Sequence, residues 1–186
     1  MSTLEHISVV CFSFVSYLMK AILPINQSVL YVYPPELGKT LPLYYYISIL
    51  ITLLIIIFVL YSLKRTKLFV FGFLFFLFTI ILVLQIIPVG AATMADRYTY
   101  VPYIGLFFVL AKLIESLVIR LNIQRTQFLY GAVLCVFIVF SALSFARVKI
   151  WENEGTLFTD VINQFPNSYI SYQTRGSFYN QSALNA

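Results

Sequence analysis

Charged side chains are scarce in this sequence. Asp, Glu, Lys and Arg together make up 10% of its 186 residues, whereas a soluble domain carries about 25%. Hydrophobic residues make up 61% of the chain, and the mean hydropathy is +0.91. This composition excludes an ordinary soluble domain and predicts an integral membrane protein.

Cysteine and histidine are also rare, and they do not occur at the spacing of a metal site. Cys11 and Cys135 both fall inside apolar segments, where we interpret them as packed or lipid-facing residues rather than as a disulfide or metal pair. His6, the single histidine, lies near one end of the chain. The sequence also lacks a Gly-rich phosphate loop and a nucleophile triad. We therefore predict no metal and no resident cofactor.

Five apolar runs predict membrane-spanning helices. A spanning helix needs about 20 apolar residues, and a lone segment in lipid must satisfy its own backbone as a helix. Residues 1–23 hold no basic residue before Lys20 and no clear cleavage site, so we interpret them as a membrane segment rather than a signal peptide. We predict an all-α fold with a polytopic transmembrane helix bundle in residues 1–148. Its spans lie near residues 7–23, 43–63, 68–89, 100–119 and 127–146.

The basic residues predict the orientation of these spans. The link 64–67 holds three of them and the link 120–125 holds two, and cytoplasmic loops are enriched in Lys and Arg. Both links and the amino terminus are therefore predicted to be cytoplasmic. The loop 24–42, the turn at Asp96 and the tail 149–186 would face the periplasm, the exterior or the lumen, in a bacterial inner membrane or the endoplasmic reticulum. Because the net charge of +5 is dispersed in this way, we exclude nucleic acid as a partner.

The tail 149–186 is polar and differs from the rest of the chain. It contains the single tryptophan, Trp151, which we predict to anchor an amphipathic helix at the level of the lipid headgroups. Pro166 restarts the chain before an N-cap at Asn167 or Ser168. A second helix of about 15 residues should follow, marked by aromatic and small residues at helical spacing: Tyr169, Tyr172, Gly176, Tyr179 and Ala183.

The stretch 94–102 places a charged pair and two tyrosines between two apolar runs. A charge beside lipid is unfavourable unless it has a partner or a function. One interpretation is structural, with Asp96 and Arg97 forming an interfacial salt bridge that caps the following helix. The other is an anion site, in which Arg97 clamps a phosphate through its planar fork. Tyr98 and Tyr100 would then flank a sugar or a lipid headgroup.

Two further groups of residues also allow alternative interpretations. Lys20 and the loop 24–42 form either an ordinary interfacial loop with an aromatic belt or a second wall of the same outward-facing cavity. Lys112 and Glu115 lie three residues apart, on one face of the fourth apolar run. We favour a pair that snorkels to the inner interface over a buried path for protons or ions.

The order of motifs along the chain resembles a known family. The Ala-Asp-Arg-Tyr turn within residues 94–105 is the specific part, and residues 20–34 are similar to the loop that precedes this turn in the family. Residues 172–183 look like the opening helix of a first tetratricopeptide repeat. Over residues 17–186 the chain resembles the C-terminal membrane half of polytopic glycosyltransferases of the GT-C type. These are the transmembrane-and-tetratricopeptide O-mannosyltransferases of eukaryotes and their bacterial relatives.

This resemblance implies an enzyme that takes a sugar from a polyprenyl-phosphate carrier on the outer or lumenal face and attaches it to a protein. It implies that Arg97 contacts the carrier phosphate and that Tyr98 and Tyr100 line the pocket. Lys20 would assist, Asp96 would orient Arg97, and the repeats would recognise the acceptor protein.

The sequence departs from the family's pattern in one important respect. No loop of this chain matches the first external loop that carries the family's catalytic acid, so the catalytic residue stays unassigned. We therefore expect a partial glycosyltransferase that is inactive alone, resembling the middle of a larger protein. The alternative is a non-catalytic membrane anchor that presents a tetratricopeptide scaffold to partner proteins.

Overall fold

The computed structural model describes residues 2–33, 41–64, 67–87, 90, 92–120 and 126–185. Over these residues the chain is of the predicted all-α class, with one small antiparallel strand pair. The helices are α1 (Thr3–Ile22), α2 (Leu43–Ser62), α3 (Lys67–Ile80), α4 (Tyr100–Arg120), α5 (Thr126–Val148), α6 (Glu154–Gln164) and α7 (Tyr169–Leu184). The strands are β1 (Tyr31–Val32) and β2 (Ala92–Met94), and short 3-10 turns occupy Ile81–Val83, Asp96–Thr99 and Lys149–Trp151.

Four helical segments of the described chain are long and apolar enough to cross a membrane, which agrees with a membrane protein. They are Thr3–Ile22, Leu43–Ser62, Asp96–Arg120 and Tyr130–Trp151. A fifth apolar segment, Lys67–Val83, is shorter than these.

The third span is predicted to end near residue 89, and residues 88 and 89 lie outside the described part of the chain. Its helix stops at Val83, and Gln85 adopts a left-handed backbone with φ of +55°. A left-handed residue breaks the helical hydrogen-bond pattern. The apolar run continues beyond this point because hydrophobic side chains indicate contact with lipid or with the protein core. They do so whether or not the backbone is helical.

The chain forms two compact units, Met1–Leu113 and Ile114–Ala186. In the first unit, aromatic side chains of α1 and α3 form the centre of the core. The Phe14 ring lies 5.9 Å from that of Phe76 and 6.4 Å from that of Phe73. The other buried members of this core are Tyr17, Val59, Ile80, Leu84 and Met94.

Helix α1 has small polar residues on its buried surface. Ser8 and Ser13 are buried, and each has a side chain small enough to allow another helix to approach closely. The Ser48 hydroxyl of α2 donates to the Ser8 carbonyl at 3.3 Å. At its start, α1 has a capping box in which Ser2 accepts from the Glu5 amide and the Glu5 carboxylate accepts from the Ser2 amide.

Helices α3 and α4 touch through their backbones at two glycines. A β-carbon placed on Gly72 would lie 2.8 Å from the Gly105 carbonyl oxygen and 2.5 Å from Cγ2 of Val109. A β-carbon placed on Gly105 would overlap the Gly72 carbonyl oxygen. Close approach of this kind increases the van der Waals contact that holds helices together in lipid, where the hydrophobic effect between helices is absent.

In the second unit, α6 and α7 pack as an antiparallel hairpin. Gly155 lies against the Phe178 ring, and Arg175 donates to the Thr159 hydroxyl at 3.3 Å. Helix α7 begins at the N-cap Ser168, which confirms one of the two predicted cap positions. An ion pair of 3.1 Å joins Arg147 at the end of α5 to Asp160 of α6.

The α3–α4 glycine contact gives the first prediction. Gly105→Ala should lower the stability of the folded protein by about 1–3 kcal/mol, because the added methyl group forces the two backbones apart. The measurement is the midpoint of thermal unfolding in detergent. Gly131→Ala in α5 is the matched control, since nothing lies within 4 Å of a β-carbon there. Equal midpoints for the two variants would contradict a close α3–α4 contact.

Candidate functional site

The predicted Asp-Arg-Tyr turn lies where two distant parts of the chain meet. Strand β2 leads into the 3-10 turn Asp96–Thr99, which leads directly into α4. Strand β1 pairs with β2, with Tyr31 opposite Met94. This pairing places the residues before β1 beside the turn. We name the resulting group the Asp96 cluster: Lys20, Ser28, Tyr31, Asp96, Arg97 and Tyr98.

The Asp96 carboxylate ties the loop before β1 to the turn before α4. Its Oδ2 atom accepts from the Ser28 amide at 2.6 Å and from the Tyr31 hydroxyl at 2.9 Å. The Asp96 amide in turn donates to the Ser28 carbonyl at 3.4 Å. A hydrogen bond to a charged group contributes about 1.5–3 kcal/mol, so this carboxylate has a clear structural role.

The Tyr31 phenol remains a donor over the whole physiological range. Burial raises the pKa of Tyr31 well above its ordinary value, and the neighbouring Asp96 carboxylate raises this pKa further. An anionic phenolate beside a carboxylate would repel it. The Tyr31–Asp96 contact is therefore a neutral donor on a charged acceptor.

The Lys20 ammonium supports the same loop from the end of α1. Its Nζ donates to the carbonyls of Ile25 and Asn26, each at 3.0 Å, and lies 4.9 Å from the centre of the Tyr31 ring. Asn26 has a left-handed backbone, with φ of +49°. Lys20 thus holds a tight turn in place, which makes it a positioning residue of the cluster.

The Arg97 guanidinium is exposed and held in a fixed orientation. Nη1 donates to the Val29 carbonyl at 2.9 Å, and Nη2 donates to the Tyr98 hydroxyl at 3.3 Å. Its central carbon lies 4.9 Å from the centre of the Tyr98 ring. Both acceptors are neutral, and within the described part of the chain no carboxylate pairs with this cation. The guanidinium has five N–H donors, so donors remain for a ligand.

The structure brings together most of the predicted site residues. Lys20, Asp96, Arg97 and Tyr98 all belong to one cluster. Tyr100 is 76% exposed at the first position of α4. The contacts that form the Asp96 cluster are made by residues near Tyr100 in the sequence. Trp151 is 46% exposed at the end of a 3-10 turn, and α6 starts three residues later.

Sequence reasoning missed Tyr17, which fixes the turn from inside the core. Its hydroxyl accepts from the Ala95 amide at 3.0 Å and lies 3.3 Å from the Ala95 carbonyl, to which it donates. The Tyr103 hydroxyl donates to the Tyr17 carbonyl at 2.7 Å. The available signal was a tyrosine one turn before Lys20 in a mainly apolar run, because a buried phenol needs a polar partner.

The remaining candidates lie outside the cluster. The His6 Nε2 atom lies 3.0 Å from the Gln85 carbonyl, and Cys11 and Cys135 are free thiols. Among the described residues, no three His, Cys, Asp or Glu side chains form a group that could hold a metal ion.

The comparisons with known proteins leave the family unassigned. No protein-family model, curated protein or solved structure matches the chain. The resemblance to tetratricopeptide-bearing glycosyltransferases therefore stays a prediction, and the geometry of the Asp96 cluster carries the functional argument.

The Asp96 cluster predicts a local loss of protection when the carboxylate is removed. In Asp96→Ala, hydrogen exchange at the Ser28 amide should become roughly 10- to 100-fold faster, because a bond to a charged acceptor contributes about 1.5–3 kcal/mol. Glu152→Ala, at an exposed acid in the second unit, is the matched control. Unchanged exchange at Ser28 would show that Asp96 does not hold the loop.

The raised pKa of Tyr31 predicts a pH-dependent effect. A group with a raised folded pKa adds stability that is complete below its unfolded pKa and declines as the pH rises towards its folded pKa. The unfolded phenol has a pKa of about 10. The loss of stability in Tyr31→Phe should therefore be constant between about pH 7 and 9 and shrink above about pH 10. Thermal unfolding of both proteins in detergent measures this loss, and a loss that stayed constant above about pH 10 would contradict the raised pKa of Tyr31.

Proposed function

We propose that the chain provides the carrier-binding wall of a polyprenyl-phosphate-sugar-dependent glycosyltransferase that acts on protein. The observation that carries this proposal is the exposed Arg97 guanidinium, which is oriented by Val29 and Tyr98 and paired with no carboxylate in the described chain. A phosphate on a lipid tail needs such a group at the membrane surface. We assign no catalytic residue to this chain.

Two features of the cluster support phosphate binding at Arg97. The side chain is held before a ligand arrives, so that less conformational entropy is lost on binding. The Tyr98 ring, stacked on the guanidinium, also offers a flat apolar surface next to the charge, of the kind on which a sugar ring or the first carrier unit packs. Asp96 and Lys20 contribute indirectly, because they hold the loop whose Val29 carbonyl orients Arg97.

We propose that the Asp96 cluster faces the periplasm or the lumen. The link 64–67 and the link 120–125 hold five basic residues between them, and basic loops stay in the cytoplasm. Helices α2, α3, α4 and α5 then cross the membrane, and the α6–α7 hairpin lies on the outer or lumenal side. Trp151 would anchor the start of this hairpin among the headgroups.

A non-catalytic anchor is the second candidate function, and the α6–α7 hairpin favours it. Tyr172 and Tyr179 are about half exposed on α7, and nothing lies within 4 Å of a β-carbon on Gly176 between them. This surface is similar to the first helix of a tetratricopeptide repeat and could recognise an acceptor protein or another partner. Such a scaffold would work without any role for Arg97.

Carrier binding tests the first function against the second. In nanodiscs, Arg97→Gln should bind a polyprenyl phosphate roughly 10- to 100-fold more weakly, because a hydrogen-bonded ion pair is lost. Lys149→Gln, an exposed cation on the proposed outer side, should bind like the unchanged protein. Excess phosphatidylglycerol should not compete if the site recognises the carrier.

Equal affinity of the Arg97→Gln variant would remove the phosphate role and leave the anchor function. Competition by phosphatidylglycerol would instead assign Arg97 to ordinary anionic lipid. Circular dichroism of each variant shows whether the helices are retained, so that a loss of binding can be separated from a loss of fold.

A further inference from the structure

Helices α2, α3 and α4 each have one end at the same side of the first unit, and the Asp96 cluster lies at that side. Residues 63–66 join α2 to α3, and near this link the Phe58 and Phe69 rings lie 5.7 Å apart. Since α2 and α3 form a hairpin, the start of α2 and the end of α3 lie at the opposite end. Helix α4 starts there as well, because Gly105 near its start packs against Phe76 in the second half of α3.

The ring and hydrogen-bond contacts that α1 makes with α2 and α3 in the described residues lie towards this Asp96 end. On α2 it meets the first half, with the Phe12 ring 4.4 Å from that of Tyr45 and the Ser48 hydroxyl on the Ser8 carbonyl. On α3 it meets the second half, through Phe14 and Phe76. These contacts lie away from the link 63–66.

The contacts of two residues at different positions along α1 indicate how this helix is oriented relative to α2 and α3. His6 contacts the Gln85 carbonyl, just beyond α3, whereas Tyr17 contacts Ala95, just before the turn into α4. His6 and Tyr17 are about 16 Å apart along the helix, yet both meet the segment that joins α3 to α4. A helix that ran beside α2 and α3 through the membrane would place its first turn or its last turn near Lys64.

We propose that α1 is an in-plane helix that lies across the Asp96 end of the bundle, with both of its ends on that face of the membrane. Its partner is the acyl-chain layer of the same leaflet. Leu4, Ile7, Met19 and Ile22 are exposed on one side of α1, while Val9, Ser13 and Tyr17 on the opposite side are buried. An aqueous outer side would favour the reverse arrangement, with polar residues outside.

The composition of α1 fits this position. Helix α1 is less hydrophobic than α2, and helices in the membrane interface are less hydrophobic than spanning helices. Glu5 and Lys20 lie near its two ends, where both charges reach the headgroups of one leaflet. The amino terminus then lies on the face of the Asp96 cluster, and not on the cytoplasmic side that the charge distribution predicted.

Site-specific crosslinking tests this placement in native membranes. In a background with Cys11→Ser and Cys135→Ser, the pair His6→Cys and Gln85→Cys should join efficiently with a short bifunctional thiol reagent. The matched pair His6→Cys and Lys64→Cys should not join. The reverse result would overturn the in-plane helix, because it would place the start of α1 at the Lys64 end.

Labelling from one side of the membrane provides a second test that does not depend on His6. Single cysteines at Ser2, Asn26 and Lys64 are treated with an impermeant maleimide in sealed vesicles. Ser2→Cys and Asn26→Cys should react from the same side, and Lys64→Cys from the other. A Ser2→Cys variant that reacts together with Lys64→Cys would show that α1 crosses the membrane. Neither outcome depends on carrier binding at Arg97.

Discussion

The Asp96 cluster of the first unit depends on the carboxylate of Asp96. It accepts from the Ser28 amide and the Tyr31 hydroxyl, and so joins a loop to a turn far away in sequence. Strand pairing alone could not do this, because β1 and β2 contain two and three residues, and an isolated pair of strands is marginal even when it is longer. The two hydrogen bonds that Oδ2 accepts from the protein relieve the unfavourable burial that an isolated carboxylate would suffer.

The two cations beside Asp96 have different consequences for chemistry. Lys20 donates to two backbone carbonyls and therefore acts on the shape of the loop. Arg97 also donates to a carbonyl, but its exposed planar group has further N–H donors. A lysine in place of Arg97 would lose the flat stacking on Tyr98 and the fork that matches a phosphate. The difference between the two residues follows from geometry, since both carry one positive charge.

Sequence patterns were sufficient to predict the helices that contact with lipid or local capping determines. Helices α2 and α4 appear within a few residues of the predicted runs, and Ser168 caps α7 as expected. The patterns could not identify the end of α3, because the apolar run passes the left-handed Gln85 without a change in composition. They identified Asp96 and Arg97 through charge, yet Tyr17 and Ser28 were missed. Those two residues act through contacts across more than sixty positions of the chain, and no local spacing encodes such contacts.

Helix α5 differs from the other long apolar helices in having no buried residue in its apolar window, Tyr130–Trp151. Because no side chain there fills a protein cavity, the volume and shape of each residue are free to vary, and hydrophobicity alone is constrained. Exchange among Leu, Ile, Val and Phe should therefore be nearly neutral along this helix, whereas a charge near its centre would oppose insertion by about 2.5–3.5 kcal/mol. Over time such a segment would drift in sequence while it kept its length and its apolar character, and relatives would align poorly here even where Asp96 and Arg97 still coincide.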